Sequence, residues 1–135
     1  MIVGLDFDST ITTNSYPKVG TDLGAVPWLI EAQARGAQFV LFTMRDGQEL
    51  ADAAKYLIDR GVRLLGVNTN PTQWQWTNSP KAYCHFYIDD RNLGIPKNGP
   101  DVDWSRVGPL LLDAVAHYRP EKDLLDAKRY VGGQA

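Results

Sequence analysis

The sequence predicts an α/β fold, a mostly parallel sheet within a three-layer α/β/α sandwich. Three observations predict it. Short apolar runs rich in β-branched and aromatic residues recur at 2–7, 38–43, 62–67 and 85–89, the cadence of parallel strands buried on both faces. Segments of helical periodicity separate them, as right-handed βαβ crossovers require. Acidic and hydroxyl side chains gather where the runs end, and open parallel sheets bind ligands outside the carboxyl ends of their strands.

The elements follow in order. The first strand leads into Asp6 and Asp8. A first helix has Pro27 at its first position, Trp28, Leu29 and Ala32 on its apolar face, and a stop at Gly36. The second strand ends at Thr43. A second helix begins near Asp46, with Glu49 completing a variant capping box, and runs through Leu50, Ala53, Ala54, Leu57 and Ile58 to Gly61. After the third strand, residues 68–80 read as a long loop carrying Trp74 and Trp76; structureless loops of that length are uncommon unless functional. Ser79 and Pro80 are compatible with a short helix start just before Lys81. The fourth strand delivers Asp89 and Asp90, a Gly/Pro-rich segment spans 94–100, and a last helical pattern covers 105–118. Beyond Pro120 the chain reads as a charged helix ending in Gly132 and Gly133.

At 135 residues the chain is read as a single domain, with its core in about 1–95 and a helical extension over about 100–135. A formal net charge of −2 with no polybasic patch does not favour duplex nucleic acid as a partner. No stretch approaches a membrane span or a signal peptide, so the expectation is a cytoplasmic protein with no membrane partner. The lone Cys84 reads as a packing residue, and His85 and His117 as structural rather than metal ligands.

Asp6 and Asp8 share one face of a strand end, about 6.6 to 6.8 Å apart if extended and closer if the following turn folds them together. Two unit charges at 4 Å repel by about 1 kcal/mol in water and about 4 kcal/mol at an effective dielectric of 20. A divalent cation or a shared proton relieves such a pair. Acids from two strand ends, a hydroxyl from a third and a lysine nearby can together build a magnesium-dependent phosphoryl-transfer site.

The motifs Asp6-Phe7-Asp8-Ser9-Thr10-Ile11, Thr43 closing Phe39-Val40-Leu41-Phe42, Lys81, and Ile88-Asp89-Asp90 resemble, in order and strand context, those of the haloacid dehalogenase superfamily. The likeness covers roughly residues 1–95 and is strongest to its small capless hydrolases, while Ile88-Asp89-Asp90-Arg91 is also similar to the phosphatase domains of polynucleotide kinases. It implies a Rossmann-like fold without a cap domain and a hydrolase, specifically a phosphatase, working through an aspartyl-phosphate. Asp6 would be the nucleophile, Asp8 the acid and base. Thr43 and Lys81 would bind the phosphoryl oxygens. Mg2+ would be held by Asp6, the Asp8 carbonyl and Asp90, with Asp89 orienting Lys81 from behind. The chain departs from the pattern at Ser9, where the superfamily usually has Gly.

With no lid, an open site takes a bulky phosphorylated substrate, a small molecule or a polynucleotide end, or is closed by a second copy of the chain. Trp74 and Trp76 are the specificity candidates, able to stack a base or a sugar, with packing of the loop against the domain as the alternative. Arg45 is a candidate phosphate ligand and equally a candidate ion-pair partner of a nearby acid. Two other readings keep the fold. A phospho-accepting receiver domain is disfavoured because the third strand ends at Val67 and Asn68 without an Asp; a non-catalytic binding module would use the Trp loop.

Overall fold

The structure, a computed structural model, describes residues 1–120. It is α/β, built on a four-stranded parallel sheet with three helices. In chain order the elements are β1 (Ile2–Leu5), β2 (Thr12–Ser15), β3 (Lys18–Asp22), α1 (Ala25–Ala34), β4 (Gln38–Leu41), α2 (Gly47–Asp59), β5 (Leu64–Val67), a 3-10 turn (Pro71–Gln75), β6 (Phe86–Ile88), β7 (Lys97–Asn98), β8 (Asp101–Val102) and α3 (Trp104–Ala116). The sheet order is β5-β4-β1-β6, with Val3 opposite Phe39 on one side and Phe86 on the other. β1 is therefore interior, and the chain from its end enters a space flanked by the ends of β4 and β6.

Alternation along the strands divides the core in two. Val3, Leu5, Phe39, Leu41 and Ile88 join Leu29 and Ala32 of α1, Ala53 and Leu57 of α2, and Trp104, Val107 and Leu111 of α3 in the larger cluster. Val40, Ala82 and Cys84 form a smaller one, against which Ile2, Leu65 and Tyr87 pack. All three described helices thus serve one cluster, and the opposite face of the sheet is covered by the chain around 70–85. Gly4 permits that cover: a Cβ there would lie 2.8 Å from the Tyr87 ring and 3.2 Å from Cys84 Sγ. Cys84 is buried as expected, and burial pushes its thiol up to about 11.

The stretch expected as a loop is held by two buried amides. Gln73 Nε2 donates to the carbonyls of Ser79 and Lys81, and its Oε1 accepts from Tyr83 N. Asn70 Nδ2 donates to Tyr83 O, while its Oδ1 accepts from Thr72 N and Oγ1. Side-chain amides supply here the partners that a helix would find in its own backbone. No helix starts at Ser79 and Pro80.

Elsewhere the expected elements form, with adjusted details. Pro27 sits in the third position of α1 rather than the first. Asp46 is the N-cap of α2, but its side chain makes no capping bond, so the capping box does not close. Between Asp8 and α1, where sequence periodicity suggests only a loop, β2 and β3 pair as an antiparallel hairpin joined through a cis Tyr16-Pro17 bond. The Gly/Pro-rich segment 94–100 contributes to the short β7–β8 ladder. Among the described residues no helix is long and apolar enough to cross a membrane. The charged helix expected beyond Pro120 lies outside the described residues.

Candidate active site

The run after β1 turns sharply because the Phe7 carbonyl accepts from the amides of Thr10, Ile11 and Thr12. Phe7 itself is fully buried, edge-on to Tyr56 at 5.8 Å. Its neighbours Asp6 and Asp8 consequently point the other way, toward a cavity of about 390 Å³. Ser9 takes φ 61°, in the left-handed region that disfavours a Cβ and that glycine enters most readily.

Thr10 links the two acidic segments. Its Oγ1 donates to Asp6 Oδ2 at 2.7 Å and accepts from Asp90 N at 3.0 Å, tying the end of β1 to the end of β6. The Trp104 indole donates to the Thr10 carbonyl at 2.6 Å and fixes the turn from beneath. The result is that carboxylate oxygens of Asp6, Asp89 and Asp90 all lie within 4.8 Å of one another. Burial pushes the Asp6 carboxyl up to about 8, and the charges of Asp89 and Asp90 add to the rise against the Thr10 hydrogen bond. Burial raises Asp89 as well. Three acids held this close match the donor set of a hard cation, so the triad could hold a metal ion.

Thr43, just past β4, reaches the same cavity. Its amide donates to Asn68 Oδ1 at 2.8 Å, and Asn68 makes this possible by adopting φ 54° at the end of β5. Asp6, Asp8, Thr43, Asp89 and Asp90 are therefore brought together as the sequence predicts.

Lys81, Trp74 and Trp76 stand apart from this cavity, and Arg45 takes the ion-pair alternative. Lys81 does not line the cavity; it is exposed, with Nζ 5.6 Å from the Tyr87 ring and its carbonyl accepting from Gln73 Nε2. Asp89 does not orient it, and Asp89 Oδ1 accepts from Arg91 N instead. Trp74 and Trp76 are also absent from the cavity wall: Trp74 is half exposed, and Trp76 stands edge-on to Tyr83 at 5.3 Å, the packing alternative. Arg45 lines the wall but is 3% exposed and forms a two-bond ion pair with Asp8, so it is the ion-pair partner rather than a free phosphate ligand.

Residues that sequence reasoning missed complete the wall. Asn14 and Tyr16 arrive on the hairpin, Met44 follows Thr43 fully exposed, and Arg91 follows the acids. The adjacency of Met44 and Arg91 to the predicted motifs was a usable signal; the hairpin residues had none. A larger groove of about 710 Å³, walled by Phe86, Ile95, Leu110 and Leu111 among others, shares no lining residue with the acid cavity among the described residues.

No protein-family profile and no curated protein matches the chain. A solved structure of a conserved protein from Bacteroides thetaiotaomicron is similar to it, with 27% identity and a TM-score of 0.71 over 88% of this chain and 98% of that one. That likeness supports the α/β architecture.

Proposed function

We propose that the chain is a magnesium-dependent phosphomonoester hydrolase of haloacid dehalogenase type. Its fold would be a Rossmann-like, capless version of the three-layer sandwich, with the stretch around 70–85 standing in for the helices of the third layer. The observation that carries the reading is the Thr10-tied meeting of Asp6 with Asp89 and Asp90 at adjacent strand ends, with Asp8 and Thr43 on the same cavity wall.

In this reading Asp6 attacks phosphorus, the ester bond to the leaving oxygen breaks as the aspartyl-phosphate bond forms, and Asp8 delivers the proton that the leaving oxygen takes up. Asp8 then takes a proton from the water that hydrolyses the intermediate, which returns Asp6 and releases phosphate. Thr43 donates to the phosphoryl oxygens. Mg2+ held by Asp6, the Asp8 carbonyl and Asp90, with Asp89 nearby, would supply charge neutralisation between anionic nucleophile and anionic substrate. Arg91, exposed on the cavity wall, takes the cationic part assigned to Lys81 from sequence.

The open cavity and its exposed Tyr16 and Met44 suit a phosphoester with a planar or apolar body, so nucleotides and polynucleotide ends head the substrate list. Phosphate release from nucleotides, sugar phosphates and phosphorylated oligonucleotides, with Mg2+ or EDTA, tests this. Release that needs Mg2+ and disappears in Asp6→Asn is the expected result; full Mg2+-dependent turnover by that variant would sink the nucleophile assignment. One observation favours a second reading, a non-catalytic binding module: among the described residues no lysine lines the cavity. Silence across the whole panel from folded protein would support it.

A further inference from the structure

We infer that Arg45 is a positioning residue that aims Asp8 at the leaving group and fastens the hairpin turn to it. The inference rests on the acid role given to Asp8 above. A guanidinium has five N–H donors in a rigid fork, and each of Arg45's is used. Nε donates to Asp8 Oδ2 at 2.8 Å and Nη2 to Asp8 Oδ1 at 2.7 Å. Nη2 also donates to Lys18 O at 2.7 Å, and Nη1 to Pro17 O at 3.2 Å and Glu49 O at 3.3 Å.

The group is enclosed as well as bonded. Its central carbon lies 5.1 Å from the Phe7 ring and 5.3 Å from the Tyr16 ring, and the Arg45 amide donates to Thr43 Oγ1 at 3.2 Å. With every donor spent and the side chain buried, Arg45 has nothing left to offer a substrate phosphate. It acts through Asp8. Two parallel bonds to one carboxylate fix both its position and its plane, whereas an ammonium at the same place would act as a point charge and leave the plane free. Two further bonds go to the main-chain carbonyls of Pro17, in the turn after β2, and Lys18, which opens β3. The segment that hangs Tyr16 over the cavity and the residue that protonates the leaving group therefore share one holder.

The experiment separates this inference from the reading beneath it. Mg2+-dependent phosphate release by the wild type, lost in Asp6→Asn, establishes the hydrolase; its absence would overturn both. Arg45→Lys, and Arg45→Gln as a second variant, are then checked for cooperative thermal unfolding and assayed on p-nitrophenyl phosphate and on glycerol phosphate. The nitrophenolate leaves with little protonation, while an alkoxide requires it. The expected result is a fall in kcat of about 100-fold on glycerol phosphate, within the range general acid catalysis supplies, with a much smaller fall on p-nitrophenyl phosphate and KM nearly unchanged for both. Added to Asp8→Asn, Arg45→Lys should cost almost nothing more, since residues acting as one unit are not additive. An equal loss on both substrates, an effect confined to KM, or additive losses in the double variant would each overturn the inference.

Discussion

Ser9 and Asp6 show what single residues cost the fold in order to build the cavity. A non-glycine residue in the left-handed region costs about 1 to 2 kcal/mol, and glycine's extra chain entropy costs about 0.5 to 1 kcal/mol in return. Ser9→Gly should accordingly stabilise the protein by about 0.5 to 1 kcal/mol, a rise of a few degrees in Tm on thermal denaturation; a fall would mean that the serine side chain holds the turn. Asp6 acts in the opposite sense to a carboxylate held low by an ion pair. Its folded value of about 8 lies above the ordinary 3.8, so between the two the folded state binds a proton that the unfolded chain releases. The stability this contributes is present at low pH and lost as pH rises through that window. Metal-free protein should lose Tm between about pH 5 and about pH 8, and Asp6→Asn should flatten that slope; a Tm that climbs across the interval would contradict the crowding of the three acids.

These residues differ in how far the sequence discloses them. Asp6, Asp8, Thr43, Asp89 and Asp90 are legible because each follows an apolar run, and a strand end in a parallel sheet has only one kind of neighbourhood. Thr10 and Asn68 are not, since their work is to bond across to segments distant in sequence. Lys81 misleads for a related reason: its place depends on where Gln73 pins the chain, and nothing local encodes that.

Among the elements, periodicity reveals the four core strands and three helices but neither the β2–β3 hairpin nor the cover built from 70–85. The hairpin strands, Thr12–Ser15 and Lys18–Asp22, are short, polar and half exposed, so they lack the alternation that marks a strand. The cover lacks any repeating pattern because its order comes from Asn70 and Gln73. Gln73→Ala would strip partners from three buried or part-buried backbone groups, and should destabilise by about 2 to 4 kcal/mol at about 1 to 3 kcal/mol per orphaned group after partial relaxation; chemical denaturation measures it, and a change below about 0.5 kcal/mol would show that the cover stands without it. Helix packing offers a second test. A Cβ on Gly108 would overlap Trp28 of α1 at 2.1 Å, so Gly108→Ala should destabilise by about 1 to 3 kcal/mol despite the better helix former. On the substrate side, Tyr16→Ala should raise KM for a nucleotide by about tenfold, the loss of about 1 to 3 kcal/mol of stacking, and leave KM for a small alkyl phosphate near its original value; equal effects on both would make Tyr16 a mere lid for Arg45.

Taken whole, the molecule places its chemistry on the one edge of the sheet where three adjacent parallel strands end together. The order β5-β4-β1-β6 puts the first strand in the interior and brings the last core strand back beside it. Thr10 and the acids it ties belong to opposite ends of the core sequence, so the crowded triad exists only once β6 has docked on β1. A chain still being synthesised would carry Asp6 and Asp8 into solution long before Asp89 and Asp90 emerge. In the proposed reading, divalent-cation affinity would then arrive late and all at once, a built-in signal that assembly is finished, and a chain cut before β6 would be blind to the ion however well its earlier strands had formed.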